Sequence, residues 1–358
     1  MSAGRLSAPA APSAAAQRDD AARGRWVQRR VLTRPSLPAL VGLVLVLAFF
    51  AIQTPQLLSS GGVAGVLDVA STLGIGGVAV ALLLIAGQFD LSVGVLAIAS
   101  AAGSALLIGH AGWSTWPALL VTLAGALLVG VVNGVLVVRT GLPSFLVTLA
   151  TFLVLQGATL AGVRAAAGSG RVDGLDGAPG WSSAAALFGS AAHLGDGRFR
   201  VSILWWLGVT AVATWALWRT KFGNAVFASG GARTAARELG VPVRRTTVAL
   251  FCLSATAGWL IGVLGLLRLG GVQVSGAGLA TGIDFIVVAV LGGCLLAGGY
   301  GSALGASIGA LLYAVARQGI VLAGWDPPLF QALLGVLLVV ALVANGVVGH
   351  RLKGVPRS

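Results

Sequence analysis

The apolar residues of the chain gather into long runs, and short polar stretches separate one run from the next. A helix needs about 20 predominantly apolar residues to cross the hydrocarbon core of a bilayer. The pattern therefore predicts an all-α, polytopic membrane protein with about ten transmembrane helices, some of them discontinuous or re-entrant. The predicted spans are 37–54, 69–87, 91–109, 117–138, 144–163, 202–218, 246–267, 283–299, 303–323 and 329–348.

Composition and charge agree with a membrane protein. Of the 358 residues, 57% are hydrophobic and only 9% are charged, whereas soluble domains carry roughly 25% charged residues. The net charge of +13 does not indicate nucleic-acid binding, because the basic residues cluster at the ends of apolar runs, where they set topology. Cys252 and Cys294 lie inside apolar runs and the three histidines are scattered, so no disulfide framework, metal site or cofactor is expected.

The basic residues also predict the orientation of the chain. Arginines crowd the N-terminal stretch, the central loop and the C-terminal stretch, whereas the long loop Arg164–Arg200 holds only four. Since cytoplasmic segments carry the excess of Lys and Arg, both termini are expected in the cytoplasm. Residues 1–36 are predicted to form a disordered basic tail, 37–349 the transmembrane domain, and 350–358 a second cytoplasmic tail.

The central loop, Lys221–Arg245, is a long polar interruption that contains a helical pattern. Four of its residues recur at the spacing of one helix face: Ala232, Ala235, Ala236 and Leu239. Gly240 follows where a C′ glycine would end the helix, and a helix this short is marginal alone, since isolated helices need roughly 12–15 residues. Two interpretations stay open: a helix that docks a soluble partner, or a solvated cytoplasmic loop with helical character. The candidate docking residues are Gly230, Gly231, Ala232, Arg233, Ala235, Ala236, Arg237, Glu238, Leu239 and Gly240.

The long loop on the other side, Arg164–Arg200, mixes Gly, Ser, Asp and Arg. Tryptophans lie within it and just after it, at Trp181 and at Trp205–Trp206. The loop is either a contact surface for a molecule that arrives from outside or a flexible connector, and the sequence favours neither.

Polar residues interrupt several of the predicted spans. The segment Gly87–Gly94 places an amide and a carboxylate between two runs with almost no loop, and a short, glycine-broken run begins near Asp284. Such segments in corresponding positions of two halves point to a transport pathway, although interhelical hydrogen bonds or snorkelling side chains explain the same residues. The pathway candidates are Gln88, Asp90, Ser92, Asn133, Phe145, Thr148, Gln156, Asp284, Arg317 and Gln318.

The sequence lacks the motifs of a catalytic site. No GxxxxGK[ST] phosphate loop occurs, and the only lysines are Lys221 and Lys353, so the chain is not expected to hydrolyse ATP or to be an enzyme. Uphill transport would draw on a partner or on an ion gradient. In the second case Asp90 and Asp284 are the candidate coupling groups.

Four blocks of sequence resemble the permease subunit of bacterial ABC importers of the ribose/xylose/arabinose group. They are 84–94 (LIAGQFDLSVG, similar to GGIDLSVG), 133–134 with 142–149 (NG and LPSFLVTL, similar to NG…PPFIVTL), 228–241 (ASGGARTAARELGV, similar to AIGGN…AAR…GI) and 290–305 (VLGGCLLAGGYGSALG, similar to VIGGTSLSGGRGSVLG). The blocks follow the family's order over most of the membrane part. Gln88 replaces a glycine, Ala232 an asparagine, and Arg317-Gln318-Gly319 an Asn-Asn-Gly; these departures concern the substrate more than the architecture.

The resemblance implies a multi-pass permease of the bacterial plasma membrane whose motor and substrate receptor are other chains. A second permease copy would complete the pathway, an ABC ATPase subunit would dock on residues 228–241, and an extracytoplasmic binding protein would deliver a sugar. The lipid bilayer is an expected partner and nucleic acid is not. Related permeases resemble carriers of nucleosides, autoinducer-like sugars or branched-chain amino acids, so these substrates stay open, as does an ion-coupled carrier.

Overall fold

The computed structural model describes residues 36–274 and 278–353, with side chains as far as residue 346. The long helices are α1 (Ser36–Gln53), α2 (Ser60–Ile85), α3 (Ser92–Gly109), α4 (Thr115–Thr140), α5 (Ser144–Ala167), α7 (Ser202–Arg219), α10 (Val243–Leu269), α11 (Gly278–Leu291), α12 (Ala303–Leu322) and α13 (Pro328–Lys353). The short elements are a 3-10 turn (Pro55–Leu58), β1 (Arg171–Val172), α6 (Trp181–Phe188), β2 (Ala191–Leu194), β3 (Gly197–Arg200), α8 (Lys221–Gly231), α9 (Arg233–Glu238) and β4 (Val272–Gln273).

Successive long helices alternate in direction, so their ends gather at two poles of one bundle. We call the end that carries residues 168–201 the outer pole and the end that carries residues 220–242 the inner pole, following the predicted orientation. Helix α2 begins at the outer pole, where Gly61 contacts Asp196, and ends at the inner pole, where Ile85 contacts Gly230.

Eight helices among the described residues are long and apolar enough to cross a membrane, which confirms the polytopic all-α class, but two of the ten predicted spans differ. Helix α11 has 14 residues, about 21 Å at 1.5 Å per residue, which is short of the roughly 30 Å hydrocarbon core. The predicted span 283–299 is wrong beyond Leu291, because the chain leaves the helix at Gly293, whose φ is 90°. Helix α7 has 18 residues, but its tryptophans and polar residues lower its mean hydropathy, so it is not among the eight helices.

Helix α2 forms the centre of the bundle. Buried residues make up 83% of its most apolar stretch, against 6% for α13. Its glycines explain the burial: a Cβ at Gly74 would overlap the Trp206 ring of α7, and a Cβ at Gly76 would overlap the Phe285 ring of α11. Small residues of this kind let membrane helices approach closely enough to gain packing contacts.

The peripheral helices leave apolar faces uncovered. Buried residues make up only 28% of the apolar stretch of α4, 22% of that of α5 and 11% of that of α1. Helix α4 packs along α10 at Gly130 and Gly134, where an added Cβ would press on the α10 backbone, and Asn345 of α13 donates a 3.0 Å hydrogen bond to the Val290 carbonyl of α11. Lipid or another chain must cover the remaining apolar faces.

The long loop between α5 and α7 is a folded cap on the outer pole and not the flexible connector that was one interpretation of its sequence. Strands β2 and β3 pair antiparallel, and β1 pairs with β4 beyond α10. Asp196, in the turn between β2 and β3, accepts hydrogen bonds from the Ser60 hydroxyl and, at 3.2 Å, from the Gly61 amide. These bonds attach the β2–β3 hairpin to the start of α2.

The predicted tails fall almost entirely outside the described residues. The N-terminal tail, 1–36, contributes only Ser36, which begins α1. Helix α13 continues to Lys353, so its last residues occupy part of the range 350–358 that the sequence assigns to the C-terminal tail.

Candidate coupling surface and polar sites

The central polar stretch folds into two short helices at the inner pole. Helix α8 ends at Gly231 and α9 begins at Arg233, and Ala232 joins them in an extended conformation with φ −154° and ψ 77°. The sequence pattern predicts α9 but misses α8. The reason is that glycines at 223, 230 and 231 weaken a helical signal, while in the fold Gly223 and Gly230 permit close contact with neighbouring backbone.

Helix α9 ends in a Schellman motif, at the glycine where the sequence predicts its end. Gly240 has a φ of 78°, and its amide donates to the Arg237 carbonyl at 3.0 Å while the Val241 amide donates to the Ala236 carbonyl at 2.9 Å. Ala236 is the only buried member of the predicted apolar face, and Leu239 is 84% exposed. The remaining α9 candidates are exposed except for half-buried Arg233: Ala232, Ala235, Arg237, Glu238 and Gly240.

Arg233 has an incomplete hydrogen-bond set. Its Nε is buried and has no partner among the described residues. Burial, and to a smaller extent the neighbouring charge of Arg237, lowers the pKa of the Arg233 guanidinium.

Three segments meet backbone to backbone beneath α8, at a contact that we call the glycine junction: Gly87, Gly230, Gly298 and Gly299. The Gly299 amide donates a 2.8 Å hydrogen bond to the carbonyl of Ile85, the last residue of α2. A Cβ at Gly230 would overlap the Ile85 oxygen, and a Cβ at Gly298 would lie 3.0 Å from the Gly87 Cα. Glycine is required at 87, 298 and 299 for a second reason, since their φ values are 70°, 82° and 76°.

The glycine junction brings together three of the four blocks that carry the family resemblance. The sequence identified Gly87 and Gly230 in separate roles, but it gave no signal that they touch. Contacts between segments so distant in the chain leave no periodicity to detect.

Asp90 is the centre of a buried hydrogen-bond network at the start of α3. One carboxylate oxygen accepts from the amide and hydroxyl of Ser92, at 2.8 and 2.6 Å, and the other accepts from the Ser254 hydroxyl at 2.7 Å. The Asn133 amide donates to the Ser92 hydroxyl at 3.1 Å, and the Thr151 hydroxyl donates to the Asn133 oxygen at 2.6 Å. The network joins α3, α4, α5 and α10, which fits interhelical hydrogen bonding, the alternative left open for these residues.

The break between α2 and α3 is fixed from α5 as well. The Phe89 amide donates to the Ser144 hydroxyl at 2.9 Å, and the Leu91 amide donates to the Thr148 hydroxyl at 3.2 Å. Gln88, also within this break, is buried. Ser144, Thr151 and Ser254 were not identified from sequence, because a lone hydroxyl in an apolar helix more often bonds its own backbone.

A second polar cluster lies between α11 and α12, towards the outer pole. Tyr313 donates its hydroxyl to the half-buried carboxylate of Asp284, and Arg317, one turn further along α12, faces the same carboxylate. Gln318 lies against α2, where a Cβ at Gly65 would be 3.1 Å from the Gln318 Nε2. Tyr313 was missed from sequence, although its spacing of four residues from Arg317 places both on one helix face.

The two remaining candidates lie on α5. Phe145, at the inner end of α5, is 45% exposed. Gln156 is half-buried, and its Oε1 is buried without a hydrogen-bond partner among the described residues. The pathway candidates therefore fall into three places: the Asp90 network, the Asp284 cluster and the face of α5.

Several curated proteins are similar to this chain over most of its length. The fructose import permease of Rhizobium meliloti is 29% identical over 315 residues, covering 87% of this chain and 84% of the relative. The ribose import permease of Escherichia coli K12 is 28% identical over 323 residues, 88% of this chain and 96% of the relative. The autoinducer 2 import system permease LsrD of Salmonella paratyphi B is 30% identical over 235 residues, 65% of this chain and 68% of the relative.

No solved structure gives a significant match to the chain. Residues 62–342, from the first turn of α2 into α13, match the family described as the permease component of the branched-chain amino acid transport system. This match covers the Asp90 network, the glycine junction and the Asp284 cluster. Because the match covers more than half of the sequence, the chain belongs to this family of transport permeases.

Proposed function

We propose that this protein is the membrane-spanning permease subunit of an ATP-driven importer and that it forms the translocation pathway for a monosaccharide. Similarity to fructose and ribose import permeases over 87% and 88% of the chain supports a sugar as the substrate. An extracytoplasmic binding protein would deliver it to the outer pole. The glycine junction carries the proposal, because it connects α8, and through Ala232 the exposed helix α9, to two breaks in the bundle.

The motor of this importer is an ABC ATPase subunit that docks on α8 and α9. Leu239, 84% exposed, offers an apolar anchor of the kind that a groove on a partner accepts. Half-buried Arg233, at the start of the same helix, offers a positive charge. The absence of a phosphate-loop motif from the sequence supports nucleotide chemistry in a separate chain.

Backbone contacts make the glycine junction suited to transmitting motion. A shift of α8 would displace Gly299 and the end of α2 with it, because no adaptable side chain lies between the three backbones. Packed backbones pass on a displacement, since the close-packed interior has little free volume to absorb it. The bundle would then rock between inward and outward openings, as proposed for broken-helix transporters.

The sugar pathway runs between two copies of the permease. The three least covered spanning helices are α13, α1 and α5, at 6%, 11% and 22% buried. Of these only α5 carries pathway candidates, which supports a second copy against its face. Gln156, with its unpartnered Oε1, and the Asp284 cluster supply groups that bind hydroxyls. A few placed polar groups in an apolar surround are what a small-ligand site requires.

The test is transport by the complete assembly in liposomes: this chain, an ABC ATPase and a binding protein encoded beside it. ATP-dependent accumulation of ribose or fructose that requires the ATPase is the expected result. Accumulation driven by a proton or sodium gradient without ATP would reject the proposal in favour of the ion-coupled carrier. ATP-dependent accumulation of leucine, with no accumulation of sugar, would support the ATPase as the motor and would contradict a sugar as the substrate.

A further inference from the structure

Two arginines converge on one carboxylate at the outer pole. Arg268 Nη1 lies 2.9 Å from Asp68 Oδ2, and Arg200 Nε lies 3.3 Å from Asp68 Oδ1. Two positive charges thus face one negative charge. Arg200 Nη1 is buried and has no hydrogen-bond partner among the described residues, and burial together with the nearby Arg268 charge lowers the pKa of the Arg200 guanidinium. An additional anion would stabilise this arrangement.

The arginines open into a cavity of about 300 Å³ between the middle of α2 and the outer ends of α7 and α10. Its polar lining is confined to Arg200, Arg268, Thr72 and Ser202, and the rest consists of glycine and apolar side chains that include Phe188 and Leu264. A small anion would be desolvated here and would gain contacts only from the few polar side chains. An amphiphile with an anionic head would gain the same contacts and would also bury its apolar part against the walls.

A second, larger cavity of about 820 Å³ lies below the first, mainly on the same three helices, with Leu127 of α4 and Phe222 of α8 also in its lining. Its lining is almost wholly apolar and includes Ala79, Gly208, Val212, Ala216 and Ala257. On α7 it extends from Trp205 to Ala216, about 16 Å at 1.5 Å per residue. That length is about half of the roughly 30 Å hydrocarbon core, which is the depth that one acyl chain spans.

The two cavities adjoin at a stacked aromatic pair. Phe188 lines the upper cavity and Trp205 the lower one, with ring centroids 5.2 Å apart and an interplanar angle of 13°. The Trp205 Nε1 donates to the Leu187 carbonyl at 3.1 Å, which fixes the pair at the level of the outer pole. On α10, Leu260 of the lower cavity is followed directly by Ile261 of the upper one.

We propose that this groove binds an anionic phospholipid of the outer leaflet, with the phosphate on Arg200 and Arg268 and an acyl chain along α7 in the lower cavity. The excess positive charge selects a head group such as phosphatidylglycerol, which carries no compensating ammonium. The site is separate from the glycine junction and from the pathway candidates, so it does not depend on which substrate the permease carries.

The test uses purified full-length protein in nanodiscs of phosphatidylcholine with or without phosphatidylglycerol, and counts retained lipid by native mass spectrometry. Arg268→Gln leaves Arg200 paired with Asp68 and removes the excess charge. Gly208→Leu fills the lower cavity, and its Cβ meets no atom within 4 Å. The matched control is Gly125→Leu on α4, which also meets nothing within 4 Å and lies outside both cavities.

Wild-type protein and Gly125→Leu are expected to retain phosphatidylglycerol in preference to phosphatidylcholine. Retention falls about tenfold in Arg268→Gln, the loss of one charge-assisted contact, and it also falls in Gly208→Leu. Equal retention of both lipids, or unchanged retention in Gly208→Leu, overturns the proposal. So does thermal stabilisation by inorganic phosphate alone that equals the effect of the lipid, since that outcome describes a site for a free anion.

Discussion

The amide of Gly299 donates a 2.8 Å hydrogen bond to the carbonyl of Ile85, and this bond places the loop after α11 against the end of the central helix. Gly230 of α8 packs onto the same carbonyl so closely that it has no room for a Cβ. Helix α8, which leads into the exposed helix α9, is thus in contact with the most buried helix of the bundle, and the predictions for coupling follow from this contact.

Gly230→Ala should uncouple the assembly. Its Cβ would overlap the Ile85 oxygen and lie 2.7 Å from the Gly299 nitrogen, so α8 must move away from α2, at a cost of about 1–3 kcal/mol. We expect ATP-dependent uptake to fall at least tenfold in liposomes. The control is the adjacent Gly231→Ala, whose Cβ meets nothing within 4 Å and which should transport normally. Equal uptake by the two variants contradicts the role of the glycine junction.

Leu239→Asp should weaken binding of the ATPase without affecting the fold, since the side chain is 84% exposed and surface changes alter stability by about 0.5 kcal/mol or less. Loss of an apolar anchor and burial of an unpaired charge should raise the Kd at least tenfold. Binding of purified ATPase to the permease in nanodiscs measures this directly.

The control for Leu239 is Leu194→Asp in the β2–β3 hairpin, which replaces another leucine that is 69% exposed. It lies at the opposite pole and should leave ATPase binding unchanged. The reverse result, with binding lost in Leu194→Asp alone, would show that the ATPase docks at the pole called outer here and that the predicted orientation is inverted.

The placement of most spans follows from local sequence, because the length of an apolar run decides whether a helix can cross the bilayer. Within residues 36–274 and 278–353, eight helices meet that criterion, against ten predicted spans. The end of α11 is harder to predict, since residues 294–297 are as apolar as the helix before them. What ends it is the left-handed backbone at Gly293, which lets the loop turn back to α2 and is set by tertiary packing.

The candidate sites divide in the same way. Gly240 marks the end of α9 because a C′ glycine acts within a single turn. Asp90 stands out as a carboxylate in an apolar context, but its partner Ser254 lies on α10 and only the fold brings the two together. The contact between Gly87 and Gly298 involves no side chain at all, so residue chemistry gives no indication of it.

Asp90→Ala should lower the free energy of unfolding by about 3 kcal/mol, because it leaves three buried donors from Ser92 and Ser254 without an acceptor. Asp90→Asn should cost only about 1 kcal/mol, since one oxygen remains for Ser92 and the Ser254 hydroxyl can accept from the new amide. Thermal unfolding of the purified variants measures both effects.

Transport by Asp90→Asn should still require ATP and should not depend on a proton gradient. If uptake by the wild-type protein depends on the proton gradient and uptake by Asp90→Asn does not, Asp90 is an ion-coupling group.

The hairpin at the outer pole should detach from α2 in acid. Hydrogen bonds, the largest from the Ser60 hydroxyl, lower the pKa of Asp196. A carboxyl with a depressed pKa stabilises the attached state above its unfolded pKa, about 3.9, and the contribution is lost as the pH falls through the folded pKa. Hydrogen exchange at residues 191–200, corrected for intrinsic rates, should be slow at neutral pH and accelerate below about pH 4.

Asp196→Ala should show the fast exchange already at neutral pH, because it lacks the acceptor for Ser60 and Gly61. Asp176→Ala, which removes an exposed aspartate elsewhere in the same loop, provides the control and should exchange like the wild type. Protection of the hairpin that is the same at pH 7 and pH 3 in the wild-type protein would mean that the backbone pairing of β2 with β3 holds it in place. Asp196 would then contribute nothing to its attachment.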